Sequence, residues 1–462
     1  MHKFYLRHMK IHFIAIGGSI MHQLALQLKA QGHEVTGSDD MIFDPALSNL
    51  KKQGICPADF GWFPAKIKHN LDMVVLGKHA HADNEELAKA KSLEIKVVTF
   101  PELIFNYSKD KTRIVVGGSH GKTTTTSLII HTMLRQGIAC DYMVGAKIAG
   151  VDGSVKLTAD APYMVIEGDE YPTSAEDMRP KLVHYHPTIA ILTGVAWDHM
   201  NVFPTYDIYL KVFADYIKSL DPDTDLVYSA EDEELPTLVK EYASCKLHPY
   251  LALDSEVVDG EWFLKDTRGE RYATSMYGKH NLQNLAAVKK VWDILGNEEE
   301  AFYTAAATFE GAAKRLEYLV DADGYTVIKD YAHSPSKVKA AVAAVREKYV
   351  QRKLVVVCEL HTYSSLNKDF IPQYKGSLTP ADVAIVHYDP KAMAIKRMPD
   401  LPADLVQEAF NLPSLMITND TDSLQAKLDD IAKDNVVILL MSSGNYGGLD
   451  LEQFANKVKD EV

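Results

Sequence analysis

Apolar strand-like runs that alternate with helix-length segments along nearly the whole chain, together with two glycine turns that each follow such a run, predict an α/β fold of parallel layers. The spacing of these signals divides the chain into three domains: Rossmann-like over residues 1–109, P-loop ATPase-like over 110–313, and Rossmann-like again over 314–462.

The first domain opens with KIHFIAIGGSIMHQLALQLKAQGHEVTGSD, which gives a strand from Lys10 to Ile16, a turn at Gly17 and Gly18, an amphipathic helix, and a second strand ending near Asp39. A further strand runs from Met73 to Leu76. The leading MHKFYLRH, ahead of Met9, is taken as an upstream start or an extension and receives no function.

The second domain begins with the strand Arg113 to Val116 and the turn GSHGKTTTT, Gly118 to Thr126, ahead of the helical run SLIIHTMLRQ. Strand, glycine turn and helix form a phosphate cradle: glycines let backbone N–H groups face phosphate oxygens, a lysine adds a mobile cation, and the helix presents its positive end. Gly118, Ser119, His120, Gly121, Lys122, Thr123 and Thr124 are therefore the candidate nucleotide-binding residues, with the Thr123 hydroxyl placed for Mg²⁺. Val116 stands where the usual pattern has its first glycine, so the loop is short. An ordinary connection with a surface lysine is the alternative.

The strand Met164 to Ile166 ends in Glu167, followed by Asp169 and Glu170. Glu167 is a candidate second ligand for that metal, or part of a solvated acidic turn. The strand TIAIL leads to Asp198 and His199 at a C-terminal strand end, where His199 is either a ligand for a second metal or a structural histidine. GKHNLQN sets His280, Asn281 and Asn284 at a helix start, as readers of an adenine edge or, for Asn281, as a cap. FEGAAKRLEYL carries Lys314 and Arg315 to the next boundary, as cations for a transferring phosphoryl group or as hinge surface charge. The third domain repeats strand and helix patterns in TVIKDY, KVKAAVAAVREKY, KLVVVCEL, ADVAIVHY and NVVILLMSS.

A formal net charge of −14 argues against a nucleic-acid partner. Cys56, Cys140, Cys245 and Cys358 lie far apart, which fits a reducing compartment. No apolar run approaches the roughly 18 residues of a membrane span, so the expectation is a cytoplasmic protein with no membrane partner.

GSHGKTTTT, IEGDE, a DH pair after an apolar strand, GKHNLQN, FEGAAKR, KDYAHSPSKV and MSSGNYGGL, in this order over essentially the whole chain, resemble the Mur ligases. The resemblance implies ATP and Mg²⁺ as cofactors, and UDP-N-acetylmuramate and a short peptide or amino acid as substrates. It implies that Lys122 contacts the ATP phosphates, that Thr123 and Glu167 hold one Mg²⁺ and His199 the other, and that Asn281 and Asn284 lie beside adenine. Arg315, Asp330 and His333 would come from the closing third domain, with Asp330 near the ribose and His333 near the reacting groups. In the first domain GGSIM lacks the full GxGxxG, so a redox dinucleotide is disfavoured, and Gly17, Gly18 and Asp39 would bind the UDP-sugar.

VIEGDEYPTSAEDMRPKLVHYHPTIAIL is similar to the branch of the family that adds the tripeptide L-Ala-γ-D-Glu-meso-diaminopimelate in peptidoglycan recycling, with the L-alanine-adding branch as alternative. Departures are Gly194 and Ala196, where relatives commonly carry asparagine and glutamate, Lys329 and Ser334 in the third-domain doublets, and ELHTYSSLN, Glu359 to Asn367. In some relatives a lysine carries a carbamate, for which Lys211 is a candidate. Outside the family, a P-loop ATPase switch or a phosphotransferase would use the same loop.

Overall fold

A computed structural model describes residues 8–148, 150–151, 153–174, 176–258, 261–313, 315–431 and 435–459. Lys314 and residues 1–7 of the leading segment lie outside the described residues. The architecture is α/β, with three sheets made largely of parallel strands, as the alternating pattern predicts.

The first sheet holds four parallel strands in the order Glu34–Ser38, Lys10–Ile14, Met73–Leu76, Val97–Thr99. The strand starting at Lys10 is shorter than expected because Ala15 takes a positive φ of 67° and begins the turn. Helix Ser19–Ala30 covers the sheet with Met21, Leu24, Ala25 and Leu28 buried, the three-to-four spacing of an amphipathic helix.

The second sheet has seven strands, in the order Lys246–Tyr250, Asp225–Ser229, Ile189–Leu192, Thr112–Gly117, Tyr163–Glu167, Cys140–Met143, Val155–Lys156. All pairings are parallel except the last. Ile114, Val115 and Val116 have no exposed surface, as a central strand covered on both faces requires. Helices Lys122–Arg135 and Lys279–Ile294 pack on one face. The small sheet Ser255–Val258, Glu261–Lys265, Arg271–Thr274 is antiparallel, an addition to the parallel layers that the alternation does not signal.

The third sheet runs Glu317–Ala322, Tyr325–Asp330, Val436–Met441, Lys353–Glu359, Val383–His387, Met416–Thr418, parallel except for its first strand. Its core is continuous with that of the second sheet, and the first sheet's core runs on into Val115, Met164 and Ile166. Among the described residues, no helix is long and apolar enough to cross a membrane.

Where the first and second sheets join, Lys111 Nζ lies 2.5 Å from Asp141 Oδ2 with both side chains almost fully buried. The carboxylate also accepts from Thr158 N and Oγ1 at 2.9 and 2.8 Å, and Lys111 donates to the Thr158 carbonyl at 2.7 Å. Asp141→Ala leaves that cation buried without its counter-charge and should cost about 3–5 kcal/mol, much of it recovered by adding Lys111→Met. Urea unfolding of the two variants checks this.

Candidate active site

Adjacent strands Ile189–Leu192, Thr112–Gly117 and Tyr163–Glu167 end at one edge, so Thr193, Gly118 and Glu167 meet there. Gly118 and Gly121 have φ of 128° and 75°, and a Cβ on Gly121 would lie 2.5 Å from Asn284 Oδ1. The glycines are thus required by conformation and by space. The first backbone bond of the following helix runs from Thr125 N to Gly121 O, so the N–H groups ahead of it point out of the helix end.

Lys122 Nζ donates to Gly118 O at 2.6 Å and to Glu170 Oε2 at 2.9 Å. Burial works against its charge, but Glu170 and Asp169 outweigh it and hold the ammonium above its usual pKa. A buried lysine kept cationic beside open N–H groups can neutralise a phosphate chain. The alternative of a surface lysine is excluded by its side-chain exposure of 13%. Ser119 lines the cleft beside the loop while its N–H donates to Gly194 O and its hydroxyl meets Tyr209 Oη and Ala196 N. It shapes the loop from inside. His120 and Thr124 line the neighbouring cavity, and burial pushes the His120 imidazole down to about 4.

Thr123 Oγ1 donates to Glu167 Oε1 at 2.7 Å, while Gly145 N donates to Oε2. Burial, with Asp169 nearby, raises the Glu167 pKa. Asp169 has its own cation, Lys181, at 3.0 Å; although burial raises its pKa, Lys181 and Lys122 outweigh burial and hold it low. Glu170 is fully buried, and its Oε1 accepts no hydrogen bond, with His199 Nε2 3.4 Å away. His199 has a φ of 57°, Nδ1 within 2.5 Å of Tyr171 Oη, and an imidazole kept neutral chiefly by burial.

These donors fit a hard divalent cation at two positions: the Thr123 and Glu167 oxygens at one, Glu170 Oε1 and His199 at the other. Among the described residues no three His, Cys, Asp or Glu side chains converge as a preformed cage, so any cation here would complete its shell with water and phosphate oxygens. Glu170 is the participant that sequence reasoning noticed only as part of an acidic turn.

Beside the loop lies a cavity of 580 Å³ lined by His120, Asn281, Asn284, Arg315, Asp330 and Lys337, among others. Gly278, with φ 83°, occupies the N-cap of helix Lys279–Ile294, so Asn281 is not the cap; its amide donates to Tyr277 O at 2.9 Å. Asn284 Oδ1 accepts from Thr125 Oγ1, bracing the loop from behind. Asp330 lines the cavity, yet its two oxygens accept from Leu316 N and Ala332 N at 2.7 and 2.6 Å, so it also pins the hinge.

A second cleft of 580 Å³ holds Lys122, Thr123, Glu167, His199, Arg315, His333 and Lys337, and reaches His361, Tyr363, Lys396 and Ser443. Arg315 borders both spaces and sits 5.1 Å from the Tyr331 ring centre. His333 donates through Nδ1 to Tyr331 O, and burial, with Lys337 beside it, drives its pKa to about 3. Lys337 was missed in the sequence; it lies in the first turn of helix Pro335–Lys348, two residues after the N-cap-adjacent Pro335, and lines the cleft with His333.

Gly17, Gly18 and Asp39 stand apart from these cavities: Asp39 Oδ2 accepts from Gly17 N at 2.7 Å, so that amide is engaged within the protein. Lys211 is 71% exposed, pairs with Asp215 at 2.9 Å and lines neither space, which removes it as a carbamate candidate for this site.

Three family models match the chain: Mur ligase family, catalytic domain, over residues 10–112; Mur ligase middle domain over 116–291; and Mur ligase, glutamate ligase domain, over 314–444. The sequence is 28% identical to the UDP-N-acetylmuramate–L-alanyl-γ-D-glutamyl-meso-2,6-diaminoheptandioate ligase of Haemophilus influenzae, covering 97% of this chain and 99% of that protein. It is 29% identical to the UDP-N-acetylmuramate–L-alanine ligase of Caldanaerobacter subterraneus, covering 94% and 95%. Its fold is similar to that of a UDP-N-acetylmuramate–alanine ligase from Thermotoga maritima, with a TM-score of 0.68, 20% identity, and 98% and 99% of the two chains covered.

Gly121→Ala should keep its circular dichroism but lose about tenfold or more in nucleotide affinity by calorimetry, since the methyl group strains a positive φ and displaces Asn284.

Proposed function

The chain belongs to the Mur ligase family and is an ATP-dependent ligase, and from that premise we propose that it joins the carboxylate of UDP-N-acetylmuramate to the amine of L-Ala-γ-D-Glu-meso-diaminopimelate in peptidoglycan recycling. In this reading residues 1–109 grip the UDP-sugar through Gly17, Gly18 and Asp39, residues 110–313 bind ATP, and residues 314–462 bring the amine. The observation that carries it is the cationic Lys122 beside the Glu167 and Glu170 carboxylates, in a cleft closed by Arg315, His333 and Lys337.

The sugar carboxylate attacks the γ-phosphorus of ATP, the bond to the bridging oxygen breaks, and ADP leaves with an acyl phosphate formed. The peptide amine then attacks the acyl carbon, phosphate departs, and the amine proton passes to solvent or a neighbouring base. Lys122 and Arg315 offset the charge that gathers between carboxylate and triphosphate. Thr123 and Glu167 at one position, and His199 and Glu170 at the other, would hold Mg²⁺, which would supply further charge neutralisation. Asn281 and Asn284 border the adenine, and Asp330 the ribose. The C-terminal unit keeps water from the acyl phosphate.

Support for a tripeptide over L-alanine comes from the segment Asp169–Pro187, which packs Lys181 beside Asp169 and Tyr171 against His199, and from the extension of the cleft to Lys396, a cation in its lining that suits an acidic peptide. The second reading, L-alanine as the amine, is favoured by a relative that bears that name at 29% identity, against 28% for the tripeptide-adding one.

Lys122→Ala should abolish ADP formation with the fold retained, and persistent turnover would sink the assignment. With UDP-N-acetylmuramate and ATP supplied, the tripeptide should give a kcat/KM at least about tenfold above that of L-alanine; the reverse order makes L-alanine the substrate.

A further inference from the structure

The loop that carries His199 is gripped by the C-terminal unit at three of its residues. Trp197 meets the Phe370 ring edge-on at a centroid distance of 5.7 Å. Asp198 Oδ2 accepts from Lys337 Nζ at 3.1 Å, and Met200 N donates to Ser364 Oγ at 3.0 Å. Phe370 and Ser364 follow strand Lys353–Glu359, and Lys337 lies on helix Pro335–Lys348, so the grip comes from separate elements. His199 between them turns the other way, toward Tyr171 and Glu170 of the central unit.

The contact at Asp198 is more than a surface pair. Its other oxygen, Oδ1, accepts from His199 N at 2.8 Å, so one buried carboxylate joins the ammonium of one unit to the backbone of the loop in the other. That backbone needs holding. With φ 57°, His199 sits in the left-handed region, which is unfavourable for a non-glycine residue unless its surroundings fix it. The His199 carbonyl is fixed too, accepting from Val202 N and Phe203 N at 2.8 and 2.9 Å.

We propose that Lys337 and Ser364 are positioning residues, through which docking of the C-terminal unit sets the His199 loop and thereby completes the second cation position. This inference rests on the reading that His199 and Glu170 hold a divalent cation. Neither residue touches the reacting atoms in this role; Lys337 acts through Asp198, and Ser364 through Met200.

The test is Mn²⁺ binding to the full chain with a non-hydrolysable ATP analogue, followed by electron paramagnetic resonance. The wild type should bind two ions, and His199→Ala should lose the weaker one. Lys337→Met and Ser364→Ala should each weaken that same ion about tenfold or more, with Ser364→Ala leaving the tighter ion and the analogue's affinity unchanged and Lys337→Arg recovering most of the loss seen with Lys337→Met. If both variants bind as the wild type does while His199→Ala has lost its ion, the positioning role is overturned and the cation reading stands. If His199→Ala also binds both ions normally, the cation reading itself falls and takes the inference with it. Should Lys337→Met fail to fold, Ser364→Ala decides alone.

Discussion

The site depends on the buried ion pair between Lys122 and Glu170. Moving either charge out of water costs several kcal/mol, and only close pairing with further hydrogen bonds offsets it. Lys122 has both, through Glu170 Oε2 and the Gly118 carbonyl. Once Glu170 is committed, the neighbouring acids need other partners. Asp169 takes Lys181 and Asp198 takes Lys337, each near 3 Å. Glu167 is hydrogen-bonded by dipoles alone, the Thr123 hydroxyl and the Gly145 N–H, and burial, with Asp169, raises its pKa by more than these and the nearby Lys122 lower it. An acid satisfied only by neutral donors at the end of a phosphate-binding loop is one that still demands positive charge.

The parts of this site legible in the sequence were those fixed by local backbone geometry. Gly118, Gly121 and Lys122 lie within one turn, and their roles follow from the strand before and the helix after. Glu167 was legible as the end of an apolar run, and the parallel sheets were legible in the alternation itself. Side-chain direction was not. Ser119 belongs to the same loop as Lys122, yet its hydroxyl is drawn inward by Tyr209, ninety positions away. Asp330 sits in a motif that suggests a ligand, yet its oxygens close the hinge at Leu316 and Ala332. Both outcomes turn on partners that no local window contains. Lys337 escaped for another reason: a lysine early in a helix is usually solvated, and only the approach of Asp198 from the loop after another sheet's strand gives it a buried partner.

The departures at Gly194 and in ELHTYSSLN take on structural meaning here. A side chain at 194 would run into the His120 ring, so the small residue and the imidazole wall of the cavity beside the loop belong together. In the second segment Ser364 reaches Met200, and Glu359 accepts from Tyr446 N, so that stretch binds to the rest of the site from both ends. Changes in such contacting residues are not independent of one another.

Docking of the C-terminal unit divides its work between packing and charge. A Cβ on Gly278 would strike Ala344, which shows how closely helix Lys279–Ile294 approaches helix Pro335–Lys348. Nearby, Lys348 lies 4.5 Å from the Tyr277 ring centre and donates to Tyr318 Oη. These contacts bury surface whichever way the charges fall. The Lys337–Asp198 pair contributes differently: on separation both groups regain water, so the pair holds the units together weakly while dictating how they sit. Apolar closeness therefore supplies the affinity of the contact between the two units, and the ion pair its register, which is what the proposed attack of an amine brought by one unit on an acyl phosphate formed beside the other requires.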